Sequence, residues 1–207
     1  MTLPRLCAIL DVDAWAVEGR AAIDVADAWL AAGVRFVQLR AKRLPAGAFL
    51  DLAVALAPRV ADAGGLLVIN DRADIAALAG AAGVHVGQDD LAVDDARAVV
   101  GADAIVGLST HSIAQVAAGL DTSATYLAVG PVFGTVTKDT GYAPVGLALV
   151  RRAAQAAGSR PLVAIGGITL ATAPAVVDAG AAAVAVISDL LSRDVEARAR
   201  RFVEALG

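Results

Sequence analysis

Eight short apolar runs, with an alanine-rich segment between each and the next, limit the folds open to this chain more than any other feature. Residues 6–12, 36–40, 66–70, 84–87, 104–109, 126–133, 161–166 and 184–188 are mostly apolar and short enough to be strands buried on both faces. The stretches near 20–32, 46–63, 74–81, 92–100, 112–119, 147–157 and 170–179, with a last one at 194–206, read as helices. Strands that alternate with helices from end to end imply a parallel sheet joined by helical crossovers. Eight such units in 207 residues predict an α/β fold, a single (β/α)8 TIM barrel over residues 1–207, rather than an open sheet.

Composition narrows the function. The hydrophobic share of 58% is dominated by alanine, and the longest charge-free runs carry Gly, Pro, Thr or His, so no stretch resembles a membrane span. Residues 1–10 offer one arginine and a short apolar segment that meets Asp11, too little for a secretory signal, and a cytoplasmic location is expected. Cys7 is the only cysteine, which excludes an internal disulfide and a cysteine-based metal cluster. A net charge of −4 (17 basic against 21 acidic groups) with no basic block makes nucleic acid an unexpected partner. Any bound anion must be held by a local cluster of donors. In the terminal helix Val195, Ala199, Phe202 and Leu206 share one face, which is expected to pack on the barrel. Trp15 and Trp29 read as packing residues.

In a parallel barrel every strand ends on one rim, so polar residues just past the strand ends converge in space. Strand two ends in Gln38-Leu39-Arg40-Ala41-Lys42, where period-two geometry aims Gln38, Arg40 and Lys42 in one direction. Strand three ends in Asn70-Asp71-Arg72, strand four in Gln88-Asp89-Asp90, and strand five in Ser109. Strand six, in Gly130-Pro131-Val132-Phe133-Gly134-Thr135-Val136-Thr137-Lys138, runs from branched apolar residues into two hydroxyls and an ammonium, donors suited to an anion. Gly166-Gly167 and Ile187-Ser188 follow strands seven and eight, where such barrels often bind a phosphate monoester through backbone N–H groups. Asp71 and Asp90, on adjacent strands, suit a shared Mg²⁺, which prefers a few carboxylates plus substrate phosphate oxygens. With Arg40, Lys42 and Lys138 alongside, a diphosphate is the natural ligand, and the rim is expected to hold two phosphate sites.

Taken singly, each group has a plainer reading. Gly-Gly is commonly a turn, Asn70-Asp71 a turn or helix cap, and a lone lysine a solvated charge. Their recurrence at seven strand ends carries the argument. Of the adjacent Asp89 and Asp90 only one can face a metal. His85, within strand four, is expected to be a hydrogen-bonded structural residue. His111 is open to two readings, a general base or a residue packing the start of a helix. Gly107-Leu108-Ser109-Thr110-His111 resembles a hydrolase nucleophile elbow but lacks its second glycine, so a nucleophilic serine is rejected. No phosphate-binding Walker loop, dinucleotide fingerprint or paired-histidine zinc motif occurs.

Together, QLRAK, the Asn-Asp after strand three, HVGQDD, GLSTH, GPVFGTVTK, AIGGI and AVIS resemble the signature set of the thiamine phosphate synthase family, in order and over nearly the whole chain. The resemblance implies a transferase of thiamine biosynthesis. Such enzymes join hydroxymethylpyrimidine diphosphate to a thiazole ethyl phosphate, carboxylated in many bacteria, and release pyrophosphate. It further implies Asp71 and Asp90 as magnesium ligands, and Arg40, Lys42, Asn70 and Lys138 around the diphosphate, with Arg40, Lys42 and Lys138 catalytic. Gln38 and Ser109 correspond to contacts with the pyrimidine end, and Thr135, Thr137, Gly167, Ile187 and Ser188 to the thiazole phosphate site. The implied chemistry is dissociative: the carbon–oxygen bond to diphosphate breaks first, and the thiazole nitrogen attacks the resulting cation. The chain departs from the family at Cys7-Ala8-Ile9, where an aromatic residue is common. Two rival readings are a thiazole tautomerase, which needs no magnesium diphosphate site, and a non-catalytic protein binding thiamine intermediates. The partners implied are small phosphorylated molecules. A homo-oligomer is compatible with the sequence, as is either form of the thiazole.

Overall fold

The computed structural model describes residues 2–134 and 144–207. Its strands are β1 (Leu6–Asp11), β2 (Phe36–Arg40), β3 (Leu66–Asn70), β4 (Gly83–Val86), β5 (Ile105–Thr110), β6 (Tyr126–Val129), β7 (Leu162–Ile165) and β8 (Ala183–Val186). They pair in parallel in sequence order, and β8 returns to β1, closing a barrel. The helices among the described residues are α1 (Val12–Val17), α2 (Ala22–Ala31), α3 (Ala46–Asp62), α4 (Ala73–Leu78), α5 (Val93–Val100), α6 (Ile113–Leu120), α7 (Gly146–Ala157), α8 (Ala173–Asp178) and α9 (Val195–Leu206). This is the expected (β/α)8 TIM barrel.

Period-two alternation sorts the strand residues into two apolar layers. Leu6, Ala8 and Leu10 of β1, Val37 and Leu39 of β2, and Leu127 and Val129 of β6 join the layer beneath the helices. Their neighbours Cys7, Ile9, Phe36, Tyr126 and Ala128 fill the barrel interior with Val68, Ile105, Val163, Ala183 and Ala185. Near the C-terminal rim the inward positions become polar: Asp11, Gln38, Arg40, Asn70, His85 and Ser109 continue the interior-facing parity of their strands.

Three segments differ from the sequence reading. A six-residue helix, α1, follows β1 directly. Asp11 caps it by accepting from the Ala14 amide at 3.2 Å, and Trp15 is its buried residue, a length too short to show a helical period. The β6 ladder stops at Val129 because Pro131 has no N–H to give, although Val132 and Phe133 still donate to the Ile165 and Gly166 carbonyls at 2.8 and 2.9 Å. After β8 the chain leaves the sheet for a 3₁₀ turn, Ser188–Leu190. There Asp189 accepts from the Leu170 amide at 2.6 Å and pairs with Arg198 of α9 at 2.5 Å.

The terminal helix buries Val195, Ala199, Phe202 and Leu206, as its pattern requires, against α2 and α8. Phe202 is fully buried, so Phe202→Ala is expected to lower unfolding stability by about 3–5 kcal/mol, read from the denaturant midpoint. A loss below about 1 kcal/mol would show α9 to be an ornament on the barrel. Among the described residues, no helix is long and apolar enough to cross a membrane.

Candidate active site

At the rim, β1 and β2 place Asp11 opposite Arg40 in register, and with the same parity the two side chains meet as an ion pair. Asp11 is 3% exposed and also caps α1, so one carboxylate neutralises Arg40 and anchors the strand-to-helix turn. Two residues further, Asp13 of α1 accepts from the Lys42 amide at 3.2 Å, while the Lys42 ammonium pairs with Asp71. The first two β/α connections thus hold each other and fix the bases of both cations. Gln38 lies one inward position below Arg40 and is buried.

Asp71 has φ of 64°, a left-handed conformation that costs an ordinary side chain about 1–2 kcal/mol and that Asp and Asn tolerate best. Its amide donates to the His85 carbonyl at 2.8 Å, which ties the ends of β3 and β4 together. Burial pushes the Asp71 carboxyl above the ordinary carboxylate range; the Lys42 ammonium opposes this, and the neighbouring Asp90 carboxyl adds to it. Asp90 in turn accepts from the Gly87 amide at 2.8 Å. Two carboxylates held this close gain from a shared dication, and hard oxygen donors on an open rim fit magnesium with room for water and phosphate oxygens. Among the described residues no group of three His, Cys, Asp or Glu side chains gathers for a metal, so such an ion would rely on oxygens from its ligand.

These residues line one cavity of about 310 Å³, which Gln38, Arg40, Lys42, Asn70, Asp71, Asp90, Ser109 and Ile187 share with Asp89, His85 and His111. Its floor is Cys7, Ile9, Ala128, Val163 and Ala185, so the segment of β1 that departs from the family contributes a thiol and a branched aliphatic side chain there. Burial pushes that thiol's pKa far up, which removes it as a nucleophile. The His111 imidazole donates from Nδ1 to the Gly130 carbonyl at 2.6 Å, and its amide donates to Gln115 Oε1 at 2.6 Å. With Ser112 capping α6 through the Gln115 amide at 3.2 Å, His111 serves the helix start while its ring lines the cavity.

Not every expected residue lies there. Gly167 and Ser188 are outside the cavity lining. Gly167, at φ 63°, sits where a Cβ would stand 2.4 Å from the Gly134 carbonyl oxygen, so glycine is needed there for close approach of the β6 and β7 ends. Ser188 opens the 3₁₀ turn. Thr135, Thr137 and Lys138 lie outside the described residues. Conversely, Asp11, Tyr126 and Gln88 line or support the cavity although the sequence assigns them no role in binding. Asp11 obeys the same rim rule as the others, as a carboxylate ending an apolar run. Gln88 donates from Nε2 to the Ser109 carbonyl at 2.6 Å. Tyr126 opens its strand, and only cross-strand register reveals where it stands.

The arrangement suits an elongated anion. Cations and carboxylates occupy the β1–β4 side of the mouth, and a less charged, partly apolar recess with hydrogen-bonding groups lies below. The family model described as thiamine monophosphate synthase matches residues 6–190. A thiamine-phosphate synthase from Koribacter versatilis is 44% identical over 100% of this chain and 97% of its own length. Another from Acidothermus cellulolyticus is 50% identical over 78% of this chain and 76% of its own. Among solved structures, a thiamine phosphate pyrophosphorylase from Pyrococcus furiosus superposes with a TM-score of 0.87 at 26% identity, covering 99% of this chain and 98% of that one.

Proposed function

The chain belongs to the thiamine monophosphate synthase family, as a transferase that makes thiamine phosphate, and on that premise we propose how its rim cavity carries out the reaction. The substrates are hydroxymethylpyrimidine diphosphate and a thiazole ethyl phosphate, and the products are thiamine phosphate and pyrophosphate. The observation that carries the reading is the convergence of Arg40 and Lys42 from the end of β2, Asp71 from the end of β3 and Asp90 from beyond β4 on one cavity. Neither the tautomerase nor the non-catalytic reading is favoured by relatives that carry the synthase name.

Breaking the carbon–oxygen bond of the first substrate leaves charge on the departing diphosphate. Arg40, aimed by Asp11, and Lys42 supply fixed positive charge to it, the kind of preorganised stabilisation that acts without reorganisation at the moment of reaction. Lys138 joins them on the resemblance of its motif. Asp71 and Asp90 would hold a magnesium ion, which when bound supplies charge neutralisation to phosphate oxygens. Gln38 and Ser109 hold the ring so that its exocyclic carbon faces the incoming thiazole nitrogen, and the apolar floor excludes water from the cation formed there. The thiazole phosphate is assigned to Thr135, Thr137, Gly167, Ile187 and Ser188. No strong general base is needed, in keeping with the hydrogen-bonded state of both histidines. The enzyme is assigned to the cytoplasm, with phosphorylated small molecules as its partners.

Incubating the protein with both substrates and Mg²⁺ is expected to release pyrophosphate and to give a product of the mass of thiamine phosphate. Ligand binding of equal strength with and without Mg²⁺, and no turnover, would instead identify a binding protein.

A further inference from the structure

Beneath the rim, Asn70, His85, Gly107 and Tyr126 stand in register across β3, β4, β5 and β6. Glycine leaves a gap in this row, and its two neighbours close over it. A Cβ at position 107 would lie 2.2 Å from Tyr126 Cζ and 2.5 Å from His85 Nδ1. The imidazole and phenol rings stack with centroids 5.6 Å apart and planes 22° from parallel. His85 Nδ1 is 2.9 Å from the Tyr126 hydroxyl, and Nε2 is 2.8 Å from Ser109 Oγ. Tyr126 is 1% exposed and His85 7%, whereas the half-buried Ser109 lies on the cavity wall.

Distances alone leave the direction of both hydrogen bonds open, and chemistry decides it. A phenol is a stronger donor and a weaker acceptor than an aliphatic hydroxyl, and a neutral imidazole has one acceptor and one donor nitrogen. The better match is Tyr126 donating to Nδ1, with the Nε2 hydrogen donated to Ser109 Oγ. Burial holds the Tyr126 hydroxyl in its protonated form, so it retains a hydrogen to give.

We infer that Tyr126 and His85 are positioning residues: they commit the Ser109 oxygen to accepting from below, so that its own hydrogen points into the cavity as a donor. The ligand group this selects is an acceptor lone pair, such as an unprotonated ring nitrogen of an aromatic heterocycle. A ring bearing C–H at that position offers no such partner. The inference rests on the reading that Ser109 faces the pyrimidine end of the substrate, and it adds what lies behind Ser109 and what it discriminates.

A double-mutant cycle with the pyrimidine diphosphate tests this. Tyr126→Phe keeps the ring and its stacking and removes only the hydroxyl, and it is expected to lower kcat/KM about tenfold, the range of one hydrogen bond. In a Ser109→Ala background the same change is expected to have no further effect, since the relay then ends on nothing. Equal losses in both backgrounds would mean that Tyr126 acts by packing, and the inference fails. ¹⁵N NMR of the unaltered protein gives a second readout that needs no variant to fold: His85 is expected with hydrogen on Nε2 and none on Nδ1, and the opposite tautomer overturns the assignment. Should Ser109→Ala leave kcat/KM unchanged in an enzyme that otherwise turns over, the placement of Ser109 is wrong. Absence of pyrophosphate release from the unaltered protein sinks the function itself.

Discussion

Replacing Arg40 with alanine is expected to cut kcat by about a hundredfold or more, the loss typical of removing one preorganised donor from a developing negative charge. The structure requires that this be separated from an effect on folding. Arg40 and Asp11 form a pair whose side chains are 16% and 5% exposed. Truncating the arginine strands the Asp11 carboxylate, and breaking a buried pair from one side costs roughly 3–5 kcal/mol. Asp11→Asn introduced with Arg40→Ala removes the stranded charge and keeps an oxygen to cap α1. The double variant is therefore expected to regain much of the lost stability and none of the turnover. Pyrophosphate-release kinetics and denaturant midpoints on the three proteins read the two effects independently. Restored turnover in the double variant would mean that Arg40 serves only to neutralise Asp11.

Asp71→Asn is the second large effect, and its two consequences run in opposite directions. Asparagine keeps the shape and tolerates a φ of 64°, but it carries no charge to be desolvated beside Asp90. The variant is expected to melt at or above the temperature of the unaltered protein while losing about a hundredfold or more in kcat, as a lost metal ligand would cause. Lys42 loses its partner at little cost because its side chain is 48% exposed and stays solvated. Asp71→Ala should lose the same activity and also stability, about 1–2 kcal/mol, for forcing an ordinary side chain into the left-handed region. Calorimetry with magnesium-dependent turnover decides the matter: an Asp71→Asn enzyme with unchanged magnesium response excludes this carboxylate as a ligand.

Much of this was legible along the chain for a physical reason. Strands covered on both faces must be apolar throughout, so runs such as Leu66–Asn70 and Tyr126–Val129 stand out, and their regular spacing prescribes the barrel. The rim rule then located Gln38, Arg40, Lys42, Asn70, Asp71, Asp90 and Ser109 near one another, because all parallel strands end on the same side. Short elements escaped: α1 has too few residues to display a period, and the apolar Val132 and Phe133 carried the sixth strand past a proline that ends its ladder. Partnerships between strands also escaped. Asp11 pairs with Arg40, 29 positions away, and His85 with Tyr126, 41 away, through register, which no single strand encodes. Tyr126 and Gly107 each look like ordinary packing, and only their adjacency shows that one makes room for the other.

The closure of β8 onto β1 has a consequence for when the enzyme comes into being. Cys7 and Ile9 line one part of the recess, and Ala185 and Ile187 line the part beside them, although nearly the whole polypeptide separates the two pairs. A chain emerging from the ribosome has every cation and carboxylate of the first four units in hand well before its final strand docks, yet it still has an open gully in place of a vessel. The recess is therefore complete only once β8 has joined both β7 and β1.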